Sequence, residues 1–219
     1  MTSPGASPLN HGERVMLEER LGMMRDLLKK HGIFPLEGRV ILDVGCGHGT
    51  DLERLAAWGA TRTNLHGVDA SADRIGVGRS LHTQINLQCV SAATLPFPSG
   101  MFDLVLLCTV MTSVLDERTA NDIASEVRRV LKPGGSVLWY DFRRRSPTNR
   151  RTRPVRKKEI ARYFSGFEGD FRKLTILPPL IRRLGHLAAP VYAVLRVFPF
   201  LRTHYMAILT KPRPREGQA

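Results

Sequence analysis

The sequence predicts a doubly wound α/β fold, a parallel sheet with helices on both faces and a helical cap near its end. Two observations carry this. Short apolar runs alternate with stretches of helical periodicity between residues 40 and 142. The first of those runs ends directly in three glycines, Gly45, Gly47 and Gly49, with a helical stretch behind them. At 219 residues, with 42% hydrophobic and 24% charged side chains, the chain is long enough for a sizeable core and is not of disordered composition.

Taken in order, residues 1–8 read as a disordered polar tail and 9–210 as a single domain, its core at 36–142 and its cap and basic part at 143–204; 211–219 is a second tail. Within 9–30, Val15, Met16, Leu17, Leu21, Met24, Leu27 and Leu28 recur at helical spacing, and Gly32 stops the helix. Strands are predicted at 40–44, 64–68, 85–90, 104–108 and 137–142. Helices are predicted at 50–58, 71–81 and 116–131, the last stopped by Lys132-Pro133-Gly134-Gly135. A basic loop at 143–153, a short helix at 157–164 and strands at 171–177 and 205–210 complete the pattern. The intervening 178–202 is crowded with apolar residues and reads as a helical cap, not a loose loop.

Charge is split along the chain. Residues 1–142 hold 14 Lys+Arg and 16 Asp+Glu, net −2; residues 143–219 hold 19 and 4, net +15. A uniformly basic nucleic-acid coat is therefore excluded, and the question becomes what the last third touches. Cys46, Cys89 and Cys108 are sparse and unpaired in spacing, which gives neither a disulfide framework nor a zinc motif and points to a reducing cytoplasm. The N-terminus shows no secretory pattern, and the apolar stretch at 184–201 is interrupted by His186, Pro190, Arg196 and Pro199, so it reads as buried or interfacial.

The chemistry sits at Val40-Ile41-Leu42-Asp43-Val44-Gly45-Cys46-Gly47-His48-Gly49, a strand that runs into a glycine turn and a helix N-terminus. In an open α/β sheet such a turn lies where ligands bind, and glycines let a ligand approach the backbone. Asp69 ends the second strand, 22 residues after Gly47; a carboxylate there can accept both hydroxyls of a ribose. A G-x-G-x-x-G dinucleotide motif fails, because its third position falls on Thr50.

Four stretches together resemble the class I S-adenosylmethionine-dependent methyltransferases that modify small molecules. They are Leu42 to Gly49; His66-Gly67-Val68-Asp69-Ala70-Ser71; Leu95-Pro96-Phe97-Pro98 with Phe102-Asp103-Leu104-Val105; and Val130-Leu131-Lys132-Pro133-Gly134-Gly135. The resemblance covers about residues 40–142. It implies a Rossmann-like sheet whose last strand is antiparallel, and S-adenosylmethionine as cofactor, leaving as S-adenosylhomocysteine. It further implies that Gly45, Cys46 and Gly47, with Gly49 at the family spacing, wrap the methionine moiety while Asp43 anchors its ammonium. Asp69 would hold the ribose beside Ala70 and Ser71, and Cys108 and Thr109 would lie under the sulfonium. The family commonly places an acidic residue after the third strand for adenine; here that position is Ser91, followed by Ala92, so adenine would rely on an uncharged hydroxyl and backbone groups.

For a general base the sequence offers Asp141, at the end of the fifth strand, and His204, opening the last one; His11 and His48 lie near the cofactor side. Asp141 also has Arg143 and Arg144 beside it as simple ion-pair partners, and a lone histidine at a strand start is often merely hydrogen-bonded. Between residues 143 and 158 stand nine cations and no aromatic residue, so a stacking platform for nucleic acid is missing there. The apolar cap with flanking arginines suits an anionic membrane interface as well as a packed lid. The expectation is methyl transfer to a small-molecule or lipid-linked acceptor, sugar, quinone-like or natural product, which carries negative charge. It places the protein in the cytoplasm, with peripheral contact at the inner membrane face. The alternatives are a nucleic-acid methyltransferase and a non-catalytic S-adenosylmethionine binder.

Overall fold

The computed structural model describes residues 9–145 and 152–214. The termini, and with them the expected tail at 1–8, lie outside the described residues, as do Arg150 and Arg151 of the basic run.

Seven strands form one sheet in the order β3-β2-β1-β4-β5-β7-β6. They are β1 (Ile41–Val44), β2 (Leu65–Asp69), β3 (Asn86–Cys89), β4 (Phe102–Cys108), β5 (Leu131–Phe142), β6 (Glu168–Ile176) and β7 (Arg202–Thr210). The first five pair in parallel, and β7 runs antiparallel to both β5 and β6. The strand order reverses at β1 and β4, so the switch point, where crevices open in such sheets, lies over their carboxyl ends.

The helices are α1 (His11–Lys30), α2 (Thr50–Ala57), α3 (Ala72–Leu81), α4 (Glu117–Val130), α5 (Lys157–Tyr163), α6 (Pro178–Ile181) and α7 (Ala188–Leu195). Their starts are written in the sequence. Asn10 and Glu13 form a reciprocal capping box on α1, and Ser71 and Asp116 accept backbone N–H groups of α3 and α4. On β4, Leu104 and Leu106 pack into one core cluster and Val105 and Leu107 into another. A strand covered on both faces can be apolar throughout, which is why this run was the most apolar of the chain.

β6 begins at Glu168, three residues before the expected Phe171. Its polar start, Glu168-Gly169-Asp170, carries no strand signal of its own and is held by pairing with Ile208, Leu209 and Thr210. Lys211, expected in the tail, is anchored instead: its N–H reaches Gly135 O at 2.9 Å and its Nζ reaches Leu131 O at 2.8 Å.

The cap between β6 and β7 is helical, as expected: α6, a turn at Gly185–Leu187, α7 and a turn at Pro199–Leu201. Ile176 pairs with Arg202 at its base. A third, small core cluster of Met16, Ile176, Ile181, Ala188 and Tyr192 fastens it to α1. Glu19 of α1 adds polar ties, accepting the Thr175 N–H at 2.8 Å and the Tyr192 hydroxyl. The closest approach is at Gly12, where a Cβ would stand 2.2 Å from the backbone oxygen of Ile181.

Two glycines on one helix therefore make a paired test. Gly12→Ala must push α1 off the cap, and overpacking of this kind costs about 1–3 kcal/mol. Gly22→Ala meets nothing within 4 Å, and should stabilise the helix by about 0.5–1 kcal/mol. Urea melts of the two variants check this; equal effects would mean that the contact at Gly12 is loose.

Candidate active site at the switch point

The turn after β1 needs its glycines. Gly45, Gly47 and Gly49 have φ of 75°, 56° and 80°, in the left-handed region that side chains disfavour. At Gly45 a Cβ would also lie 2.6 Å from Val110 Cγ2. The turn is tied to β2: Gly45 and Cys46 donate to Val68 O at 2.7 and 3.0 Å. Asp69 finishes the tie, its Oδ2 accepting the Gly47 N–H at 3.0 Å and its Oδ1 the Ser71 N–H at 2.9 Å. Arg74 stands 3.4 Å from the same carboxylate. Ala70 is exposed beside it, and farther along the edge the exposed Ser91 accepts the Ala93 N–H at 3.2 Å while Ala92 packs on the core.

A cavity of about 240 Å³ lies over the ends of β1 and β4. It brings together Asp43, Gly45, Cys46, Cys108 and Thr109 from the sequence-predicted set with Arg20, Thr50, Asp51, Arg54 and Tyr140. Asp43 is 2% exposed, and its Oδ1 has no hydrogen-bond partner. Burial lifts its carboxyl well above the usual range, the neighbouring Asp51 lifts it further, and Arg20 opposes both. Burial likewise pushes the Cys46 and Cys108 thiols up, which keeps both protonated. Thr109 has φ 59° and donates its N–H to Tyr140 O at 2.7 Å, which turns the chain sharply at the end of β4.

Arg20 was not predicted. It reaches from α1 to pair with Asp51, and its guanidinium carbon stands 4.8 Å above the Tyr140 ring. Arg54 holds the other oxygen of Asp51 at 2.6 Å. Burial alone would raise Asp51, but the two guanidinium groups outweigh it and keep the carboxyl below its usual value. One donor of Arg20, Nε, is buried without a partner.

A second cavity of about 510 Å³ opens between α1, the cap and the ends of β5 and β7. Its wall is apolar at Leu9, Met16, Leu17, Phe142, Leu177, Pro178 and Pro179, and Arg144, Arg145 and Arg182 stand on it as well. It shares Arg20, Arg54 and Tyr140 with the smaller cavity.

The two base candidates separate here. His204 lines the larger cavity, 3% exposed, stacked on Tyr140 with ring centres 5.0 Å apart and with Nδ1 2.9 Å from Thr203 Oγ1. Burial, aided by the nearby Arg20, pushes its pKa down to about 3, so the ring is neutral. Asp141 lines neither cavity. Its oxygens accept the N–H groups of Thr112 and Phe142 at 2.9 and 2.8 Å, not the adjacent arginines, and burial pushes its pKa up to about 7 against those bonds. Thr112 in turn bonds the backbone of Arg153, so Asp141 pins the returning chain. His48 lines neither cavity, and His11 lies against His186 of the cap, ring centres 6.0 Å apart.

These two buried groups oppose each other in pH. Asp141 contributes stability in full below its ordinary 3.8, and that stability is lost as pH rises to about 7. His204 contributes in full above its ordinary 6.5, and that is lost as pH falls toward about 3. In His204→Phe the Asp141 slope stands alone. From about pH 4 to 6 the unfolding free energy of this variant, relative to the parent, should fall by about 1.4 kcal/mol per pH unit. Urea melts across that range test it; parallel profiles would show that His204 is not held neutral.

Comparison with known proteins agrees with this geometry. Residues 41–135 match a family described as a methyltransferase domain. The chain is similar to the fatty-acid O-methyltransferase of Mycolicibacterium smegmatis, 40% identical over 112 residues, 50% of this chain and 39% of that protein. It is similar to the ubiquinone biosynthesis O-methyltransferase of Maricaulis maris, 32% identical over 138 residues, 58% and 51% of the two chains. Thus the chain spans about half the length, or less, of these curated relatives. In fold it is similar to an S-adenosylmethionine-dependent methyltransferase of Methanosarcina mazei, with TM-score 0.59, 22% identity and coverage of 80% and 92%. With its glycine turn at the switch point and its antiparallel β7, the chain has the fold of the class I S-adenosylmethionine-dependent methyltransferases, and its residues 41–135 match the methyltransferase domain family.

Proposed function

We propose that this protein transfers a methyl group from S-adenosylmethionine, held in the smaller cavity, to an amphipathic small molecule held in the larger one. The observation that carries this is the wall shared by the two cavities, Arg20, Arg54 and Tyr140.

The residues of the smaller cavity fit the amino-acid end of that cofactor. A zwitterion needs one anion and one cation, and Asp43 Oδ1 and Arg20 Nε are buried there without partners. Asp43 would hold the ammonium and Arg20 the carboxylate. Gly45, Cys46, Gly47 and Gly49 would let the ligand lie against backbone. Asp69, Ala70 and Ser71 would receive the ribose, Ser91 and Ala92 the adenine, and Cys108 and Thr109 would form the floor under the sulfur. Bound there, the cofactor supplies a methyl group already activated by its sulfonium. The protein's part is then to orient the acceptor and exclude water.

Of the two base candidates, His204 is the one positioned on the acceptor cavity. A ring with a pKa of about 3 is a weak base, so it suits an acidic hydroxyl. Carboxylic acids, which are ionised at neutral pH, and phenols acidified by their substituents therefore fit best. The relatives named above are, by name, O-methyltransferases of fatty acids and of ubiquinone biosynthesis, which favours an oxygen acceptor on an apolar body. Arg144, Arg145 and Arg182 favour negative charge on it, and a lipid-linked acceptor would bring the protein into peripheral contact with a membrane.

Labelled methyl transfer into organic-extractable material tests the reaction. Titration with S-adenosylhomocysteine tests the site. Asp69→Ala should weaken binding by about 1.5–3 kcal/mol, the value of a hydrogen bond to a charged group. Asp43→Asn should weaken it comparably while leaving the ligand-free protein no less stable, since it removes a buried carboxyl. Binding within twofold of the parent in both variants would overturn these roles.

A further inference from the structure

Ten large apolar side chains stand exposed among the described residues, and six of them fall between residues 180 and 200. Within the cap, Ala188 and Tyr192 turn inward onto α1, while Val194, Val197 and Phe200 are 64%, 66% and 59% exposed. Leu187 and Val194 are two helical turns apart and so share a face, away from the inward pair. Phe198 and Phe200 meet at the end of this ridge, ring centres 5.7 Å apart. Exposed apolar patches concentrated in this way mark contact surfaces.

The charge around the ridge names its occupant. Arg183 and Arg196 are exposed on the cap, and from Phe171 to Arg215 the sequence has no acidic residue. Apolar side chains that can enter the acyl boundary, on a segment that carries cations and no acid of its own, complement an anionic lipid surface. No helix among the described residues is long and apolar enough to cross a membrane, so the contact is one of docking. The same segment supplies Leu177, Pro178, Pro179 and Arg182 to the acceptor cavity.

We infer that the outer ridge of the cap docks on an anionic bilayer and sets the acceptor cavity beside the lipid from which its substrate is drawn. The substrate half of this rests on the proposed methyl transfer to an amphipathic acceptor; the docking half rests on the ridge alone.

Flotation of the full chain with phosphatidylcholine vesicles, with and without phosphatidylglycerol, tests it. The parent should float with the anionic vesicles and do so less as salt rises. The double variant Phe198→Ser/Phe200→Ser should lose about tenfold or more in partitioning, from the lost apolar burial. The variant Arg183→Gln/Arg196→Gln should bind the two vesicle types more nearly alike. All should bind S-adenosylhomocysteine as the parent does. No flotation of the parent, or flotation of both variants equal to the parent, overturns the inference. So does sedimentation showing a dimer of the parent that the phenylalanine variant abolishes, since the ridge would then be covered by a second copy. A parent that binds S-adenosylhomocysteine but does not float sinks docking alone. A parent that floats but binds no S-adenosylhomocysteine sinks the proposed methyl transfer and leaves docking standing.

Discussion

The pairing of Arg20 with Asp51 carries the first helix across the open edge of the sheet. Glu19 ties α1 to the cap, and the Arg20–Asp51 pair is what fastens it to the start of α2 above the switch point. The ion pair is mostly buried, with Arg54 on the second oxygen of Asp51 and Tyr140 beneath the guanidinium. Removing one partner of such a pair strands the other charge, typically at about 3–5 kcal/mol. The wall between the two cavities, the position of Glu19 against the cap and the seat of Gly12 on Ile181 all follow from where this helix is held.

Charge at this edge is arranged, not merely accumulated. Asp43, Asp51 and Asp69 converge on one small volume, and three arginines, Arg20, Arg54 and Arg74, answer them. Two of the acids are satisfied by the fold itself: Asp51 by guanidinium groups and Asp69 by two backbone amides. Asp43 is left over, and the fold tolerates it by raising its pKa. An ammonium group brought to it would relieve that burial, so part of the affinity for a cationic ligand is set aside in the ligand-free structure.

Much of this was legible from sequence because it is local. Glycines at alternate positions after an apolar strand require the left-handed turn they make, and Asp69 is placed by the strand it ends. Cap residues such as Asn10, Ser71 and Asp116 signal helix starts for the same reason. Arg20 was not legible, since on a helix of alternating character it reads as one more surface cation; its burial comes from Asp51, 31 residues on, and from Tyr140 on another strand. The same distance effect separates the base candidates. Asp141 and Phe142 are neighbours in sequence, yet only Phe142 borders the larger cavity, because successive strand residues face opposite sides. The start of β6 was hidden because its first residues are polar and owe their conformation to β7.

The cap leaves the sheet after Ile176 and returns at Arg202, and these two residues are partners in the ladder. A loop whose ends are already adjacent can change length and content at little cost to the strands below, because closure entropy grows only slowly with size. The glycine turn, Asp43 and Asp69 come from strands on the far side of β4, and no cap residue lines the smaller cavity. Variation in the segment between Ile176 and Arg202 can therefore reshape the larger cavity while the glycine turn and its two aspartates stay constant. The fold lets one cavity diversify while the other is inherited unchanged.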